Sequence, residues 1–105
     1  MFGKNHQDYQ SQYIKNYQTC DYGFKDQITR SGLSIPSNIA EGFGRSSDKE
    51  KRNFLNYAKG SCAELRTQSY IGIEIGYIPK KVGQGWIHET REISSMLTSL
   101  MKYLS

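Results

Sequence analysis

Arg52, Lys59 and Arg66 recur at intervals of seven residues. On a helix of about 3.6 residues per turn, that interval places them in one stripe. Arg45 and Lys49 stand just ahead of it. Between Arg45 and Arg66 there are six basic and three acidic residues. Measured from Phe54, Arg52 lies about 160° around the helix, so the stripe is expected to face outward. Two chemistries fit. The plainer is a solvated helix face. The sharper is contact with a phosphate backbone, whose strength would fall steeply with salt because each neutralised phosphate releases a counterion.

Other reactive residue types give less. Gly42-Phe43-Gly44-Arg45 has a superficial likeness to a phosphate-cradling loop, but it follows a helical stretch and no lysine–serine pair closes it. His6 and His88 each lack a second ligand at helical or turn spacing, so no metal site and no cofactor is expected. Cys62 falls on the apolar side of its helix and reads as a small core residue. Cys20 has no basic cluster beside it to activate a thiolate. Glu41, Glu64 and Glu74 lack the glutamate-x-x-histidine repeats of a di-iron site. No serine or cysteine has a base at a readable spacing, so an enzyme is not expected.

These side chains need rods to hold them. Phe24, Ile28, Gly32, Ile35, Ile39 and Phe43 follow steps of three and four, which predicts a helix over 22–43. Pro36 sits inside it and lacks the amide hydrogen that a helix interior uses. A kinked helix is expected, with Ser31 or Ser34 satisfying freed backbone groups; the alternative is two short helices that break at Ser34. Gly42 and Gly44 should close it in a left-handed cap. Ser47 with Glu50 forms a capping-box pattern for a second helix over 48–76. Its expected stripe is Phe54, Ala58, Ser61, Leu65, Gln68, Gly72 and Ile75, widened by Leu55 and Cys62. A last helix, starting at Lys81 or Trp86 and ending near Tyr103, would bury Val82, Trp86, Ile93, Met96, Leu97, Leu100, Met101 and Leu104. Tyr9, Tyr13 and Tyr17 fall four apart beside Ile14, enough for an amphipathic turn or two but without an aliphatic stripe. Short loops favour antiparallel neighbours.

The chain has 105 residues, enough for one modest core. Its domains are read as an atypical segment over 1–21, with a short first helix at most, and a helical bundle over 22–105. Charged residues are 23% and mean hydropathy is −0.70, which suits a soluble globular chain and excludes a membrane span. Two cysteines and the absence of an apolar leader core point to a reducing cytoplasm. A net charge of +4 permits nucleic acid or acidic partners without selecting one.

The stretch from Ser34 to Gly42 reads Ser-Ile-Pro-Ser-Asn-Ile-Ala-Glu-Gly, and Phe54 to Leu65 reads FLNYAKGSCAEL. Together with Gly76-Tyr77-Ile78 and the Met96-Leu97…Leu100 pattern, these stretches resemble the bacterial 23S-rRNA intervening-sequence protein family over roughly residues 22–105. The resemblance implies an all-α, antiparallel up-and-down four-helix bundle assembling as a homo-pentamer. It also implies kinship with the accessory variability determinant protein of diversity-generating retroelements, which binds a reverse transcriptase and nucleic acid through a basic surface. By that likeness RNA or DNA, and a protein partner such as a reverse transcriptase, become candidate partners of this chain. Residues 1–20 lack the aliphatic, tryptophan-rich pattern of the family's first helix, so the resemblance implies a first helix that is shortened, rebuilt or lost. Within the motif, Asn38 and Glu41 have two readings. They form a recognition surface, or they satisfy donors and acceptors around a helix that Pro36 kinks and Ile35 and Ile39 anchor.

Overall fold

A computed structural model describes residues 22–104. Three helices account for nearly all of them: α1 (Tyr22–Phe43), α2 (Asp48–Glu74) and α3 (Lys80–Tyr103). They run up, down and up. Helix α2 is the central rod; it packs against both neighbours, while the backbones of α1 and α3 do not meet. The all-α, antiparallel expectation holds for these elements. The predicted short first helix and the tyrosine repeat lie outside the described residues.

Helix α1 passes through Pro36 without a break, so the two-helix alternative is overturned. Pro36 is on the exposed side, where the Gly32 carbonyl four residues back, left without its amide partner, stands next to solvent. The predicted role of Ser34 also changes. Its hydroxyl bonds Ser61 on α2 at 2.7 Å. Neither Gly42 nor Gly44 has positive φ, so the expected left-handed cap is absent there. Gly42 serves close approach instead: a Cβ on it would stand 3.2 Å from both the Lys51 carbonyl and the Phe54 Cβ. The left-handed cap appears one helix later. Gly76 has φ +80°, and the amides of Tyr77 and Ile78 both return to the Gly72 carbonyl. Ile78 then folds back over α2, where a Cβ on Gly72 would come within 2.7 Å of its Cγ1.

Ser47 caps α2, accepting from the Glu50 amide at 3.1 Å, with Asp48 and Glu50 in the first turn suiting the dipole. The helix ends two residues earlier than expected, at Glu74. Helix α3 starts at Lys80, ahead of both glycines that were expected to delay it. Gly83 is buried against Ile73, so packing outweighs its low propensity.

Ile35, Leu55, Ala58, Cys62 and Leu97 form the buried core, flanked by Ile39, Leu65, Ile93, Leu100, Met101 and Leu104. The buried line of α2 is Leu55, Ala58, Ser61, Cys62, Ser69 and Gly72. Ala58, Ser61 and Gly72, with Leu55 and Cys62 beside them, were expected there; Ser69 is added, and the centre of the line is turned by roughly 30–50° from the expected one. Phe54 and Gln68 are half-buried, and Ile75 is 52% exposed. The reason is the central position of α2. A rod contacted on two sides buries an arc wider than one stripe, and the small residues sit in its middle. Phe43 and Met96, both expected inside, are 59% and 64% exposed. Ile78, Ile87 and Thr90, not expected inside, are buried. Thr90 and Ser69 tolerate burial because each hydroxyl donates to a carbonyl of its own helix, Ile87 and Leu65 respectively.

Candidate nucleic-acid interface

The turned stripe of α2 changes where its cations point. Arg52, Lys59 and Arg66 each precede a residue of the buried line by three: Leu55, Cys62 and Ser69. They therefore sit about 60° beyond one edge of it. All three are half-buried along the α2–α3 junction, and the outward expectation is corrected accordingly. The antiparallel register assigns each a neighbour. Arg52 donates to the Leu104 carbonyl at 3.3 Å, a cation placed on the carbonyl end of α3. Arg66 reaches Ser94 Oγ at 3.5 Å, at the outer limit of a hydrogen bond. One turn further along α2, Tyr70 accepts from Arg91 at 2.9 Å.

The five expected cations therefore divide. Arg45 is held by Glu41 at 2.8 Å and lies over the Phe54 ring at 4.6 Å. It straps the α1–α2 turn. Arg52 closes the far end of α3. Lys49 is exposed in the first turn of α2. Lys59 and Arg66 line a groove of about 640 Å³ together with Arg91, Ser94, Ser95, Thr98 and Ser99. No carboxylate lines that groove. Cation spacing within one helix does not reveal the α3 residues, which lie on another element. Their signal was legible as hydroxyls at 94, 95, 98 and 99, one polar face recurring every four residues behind Arg91.

The groove has a buried floor. Cys62 is fully buried beneath it. Burial pushes its thiol pKa up, opposed by a hydrogen bond with Ser94 and the charge of Arg66. A protonated, buried thiol is a packing residue and a poor nucleophile. Among the described residues no group of histidine, cysteine or carboxylate side chains is arranged to hold a metal ion. His88 is exposed beside Glu92 at 3.7 Å.

The Ser34–Gly42 motif occupies the opposite junction, between α1 and α2. Asn38 Nδ2 donates to the Ser34 carbonyl at 2.8 Å and to Ser34 Oγ at 2.9 Å. Ser61 Oγ donates to the Tyr57 carbonyl at 3.2 Å. A hydroxyl has one proton. Ser61 has used its own, so Ser34 is the donor in the Ser34–Ser61 bond. The chain Asn38 → Ser34 → Ser61 → Tyr57 is closed, with every proton assigned. Ile35 is buried, Ile39 packs on the core, and Glu41 holds Arg45. The structural reading of the motif accounts for Ser34, Ile35, Asn38, Ile39, Glu41 and Gly42.

Taken together, an antiparallel helical layer with a closed polar seam on one side and a cationic groove on the other defines a small all-helical bundle protein. The sequence pattern of the 23S rRNA-intervening sequence protein family matches residues 7–99, and the chain belongs to that family. The match reaches back through Tyr9, Tyr13 and Tyr17, beyond the Tyr22 boundary that the motifs alone suggested. A crystal structure of a protein with unknown function from the S23 ribosomal protein family, from Bacteroides thetaiotaomicron VPI-5482, is similar. It is 29% identical, with a TM-score of 0.77 over 86% of this chain and 82% of that one. No curated protein matches the chain. No described helix is long and apolar enough to cross a membrane.

Proposed function

We propose that the protein is a non-enzymatic, self-associating helical-bundle adaptor of the cytoplasm that contacts nucleic acid through the basic face of α2. The observation that carries this reading is the pair Lys59 and Arg66, two cations on one helix face bordering a groove that no carboxylate lines. Family membership is compatible with it, because the family is named for the intervening sequence of 23S rRNA. Arg45 and Arg52 contribute shape more than free charge, since each already has a partner. Lys49 adds charge at the solvent end. Assembly as a ring, a pentamer by the family likeness, would repeat a weak field around its rim and raise avidity without new contacts. A reverse transcriptase is one protein partner consistent with that likeness.

Gel retardation of single-stranded RNA and DNA at a series of salt concentrations tests this. Retardation at low salt that falls steeply as salt rises is expected. A folded, helical protein that retards neither at low salt would remove the nucleic-acid part.

A second reading is a purely structural or protein-interaction module, or a degraded family member. Leu33, Ile71, Ile75 and Met96 are each 47% exposed or more, apolar surface that suits contact with other protein copies. Light scattering separates the readings. An oligomer that binds no nucleic acid favours the module, and a poorly helical, insoluble chain favours degradation.

A further inference from the structure

The α2–α3 groove does more than carry positive charge. Lys59, Arg66 and Arg91 surround it, and Ser94, Ser95, Thr98 and Ser99 present hydroxyls along its α3 wall. None of the three cations enters an ion pair among the described residues. Glu92, beside Arg91 in sequence, is turned to His88 on the other flank. Arg66 is short of acceptors: its Nε is buried without a partner, and its one hydrogen bond, to Ser94, is 3.5 Å long. A guanidinium has five N–H donors and no means of losing its charge. Arg91 is steadied by Tyr70 and so enters the groove with its geometry already set.

This is the donor set of an oxyanion site. Guanidinium and ammonium groups supply charge-assisted hydrogen bonds, and hydroxyls supply neutral ones at the remaining oxygens. We infer that the α2–α3 groove binds a phosphate group, held by Lys59, Arg66 and Arg91 and by the hydroxyls of Ser95 and Ser99, since the Thr98 hydroxyl already donates to the Ser94 carbonyl and that of Ser94 is turned to Cys62. The inference deepens the proposed function and rests on it for one source of the phosphate, the backbone of a nucleic acid. A free phosphate is the other source, and the same chemistry serves both. The contact then lies at a junction of two helices, not on the Arg45–Arg66 stripe of one, and includes Arg91, Ser95 and Ser99.

The test uses the full chain, isotope-labelled, with inorganic phosphate, pyrophosphate and a mixed-sequence single-stranded RNA as probes. Amide shifts should concentrate at residues 59, 66 and 91–99. K59Q and R91Q should each weaken binding about tenfold or more, the loss of one charged hydrogen bond. Each should also lower the salt slope for RNA by about one, while K81Q, exposed and outside both the groove and the basic face of α2, should change RNA affinity less than twofold. R66Q joins the set if circular dichroism shows it folded; K59Q and R91Q suffice if it is not. Binding of phosphate and RNA at the groove supports both the site and the nucleic-acid reading. Binding of phosphate or pyrophosphate alone supports the site with a free phosphate as its ligand. RNA binding unchanged by K59Q and R91Q overturns the site and leaves the nucleic-acid reading standing. Absence of shifts in the groove with all three probes overturns the site.

Discussion

The two long junctions of α2 use similar residue types to opposite ends. Against α1, serine and asparagine are joined in a run in which every proton has a place, from Asn38 through Ser34 and Ser61 to the Tyr57 carbonyl. Against α3, cations and hydroxyls stand around open space; Arg66 and, at the α1–α2 turn, Arg45 each keep a buried Nε with no acceptor, but only Arg45 has a carboxylate on its guanidinium. A satisfied polar seam rigidifies and specifies a register. An unsatisfied one retains hydrogen-bonding capacity for something else. The contrast separates stability from function within one small chain, and each side can be perturbed without the other.

The largest effect should come from a residue both junctions share. Leu55 is 1% exposed and belongs to the common core. Leu55→Ala should cost about 3–4 kcal/mol through lost transfer energy and the cavity left behind. Urea unfolding is expected to show it as a lower midpoint with the slope unchanged. A loss below about 1 kcal/mol would mean that the two junctions do not share a core at Leu55.

The closed seam should respond next. Ser34→Ala and Ser61→Ala each remove one member of the run and should cost about 1–2 kcal/mol. Because the two hydroxyls bond each other, the double variant should cost less than their sum, with a coupling of about 1 kcal/mol. Additive losses would show that the hydrogen bond between them contributes nothing. A smaller effect is expected at the rim of the same junction. Glu41 and Arg45 are one turn apart, and their side chains are 55% and 39% exposed. Solvent screens such a pair, so Glu41→Gln should lower stability by only about 0.5 kcal/mol, and less in high salt.

Cys62 offers a pH handle on the floor of the open groove. Its folded pKa is raised, so the unfolded chain ionises first as pH climbs. The unfolded state then binds fewer protons than the folded one, and unfolding becomes easier. Thermal melts should therefore be flat in this respect near neutrality and fall above about pH 9, as pH rises toward the folded value. A Cys62→Ala variant should lose that alkaline slope.

Helix existence was legible because Ile28, Ile35, Leu97 and Leu100 keep a period that a strand cannot use. The direction of the basic stripe was not, because Phe54 is a misleading reference for it. A large aromatic looks like the centre of a buried face. Here Phe54 sits at its edge, under Arg45, and the centre is the smaller Leu55–Ala58–Cys62 line. The sequence alone does not say that α2 has neighbours on two sides, and that fact rotates the face. The polar residues of the Ser34–Gly42 motif leave two readings open in the sequence, recognition or internal pairing, because the partner of Ser34 lies 27 positions away on another helix. The groove was half legible. Lys59 and Arg66 announce themselves by spacing, whereas Arg91 and the α3 hydroxyls gain meaning only when the register sets them opposite.

That register yields the smallest expected change in stability. Substituting the charges of a structural seam destabilises, but substituting those of a site held ready for a ligand should not. Lys59 and Arg91 contribute no ion pair, and three cations around one groove oppose compaction through mutual repulsion. The double variant K59Q/R91Q should therefore unfold within about 0.5 kcal/mol of the parent chain, on either side. Added phosphate should then separate the two proteins. The parent gains stability because the folded state alone presents the groove, and the gain grows with the logarithm of phosphate concentration above the dissociation constant. The variant should gain much less. Sodium chloride at matched ionic strength controls for screening, which acts on both. Equal gains in phosphate, or a loss in K59Q/R91Q as large as that of the Ser34 and Ser61 variants, would erase the distinction between the two sides of α2.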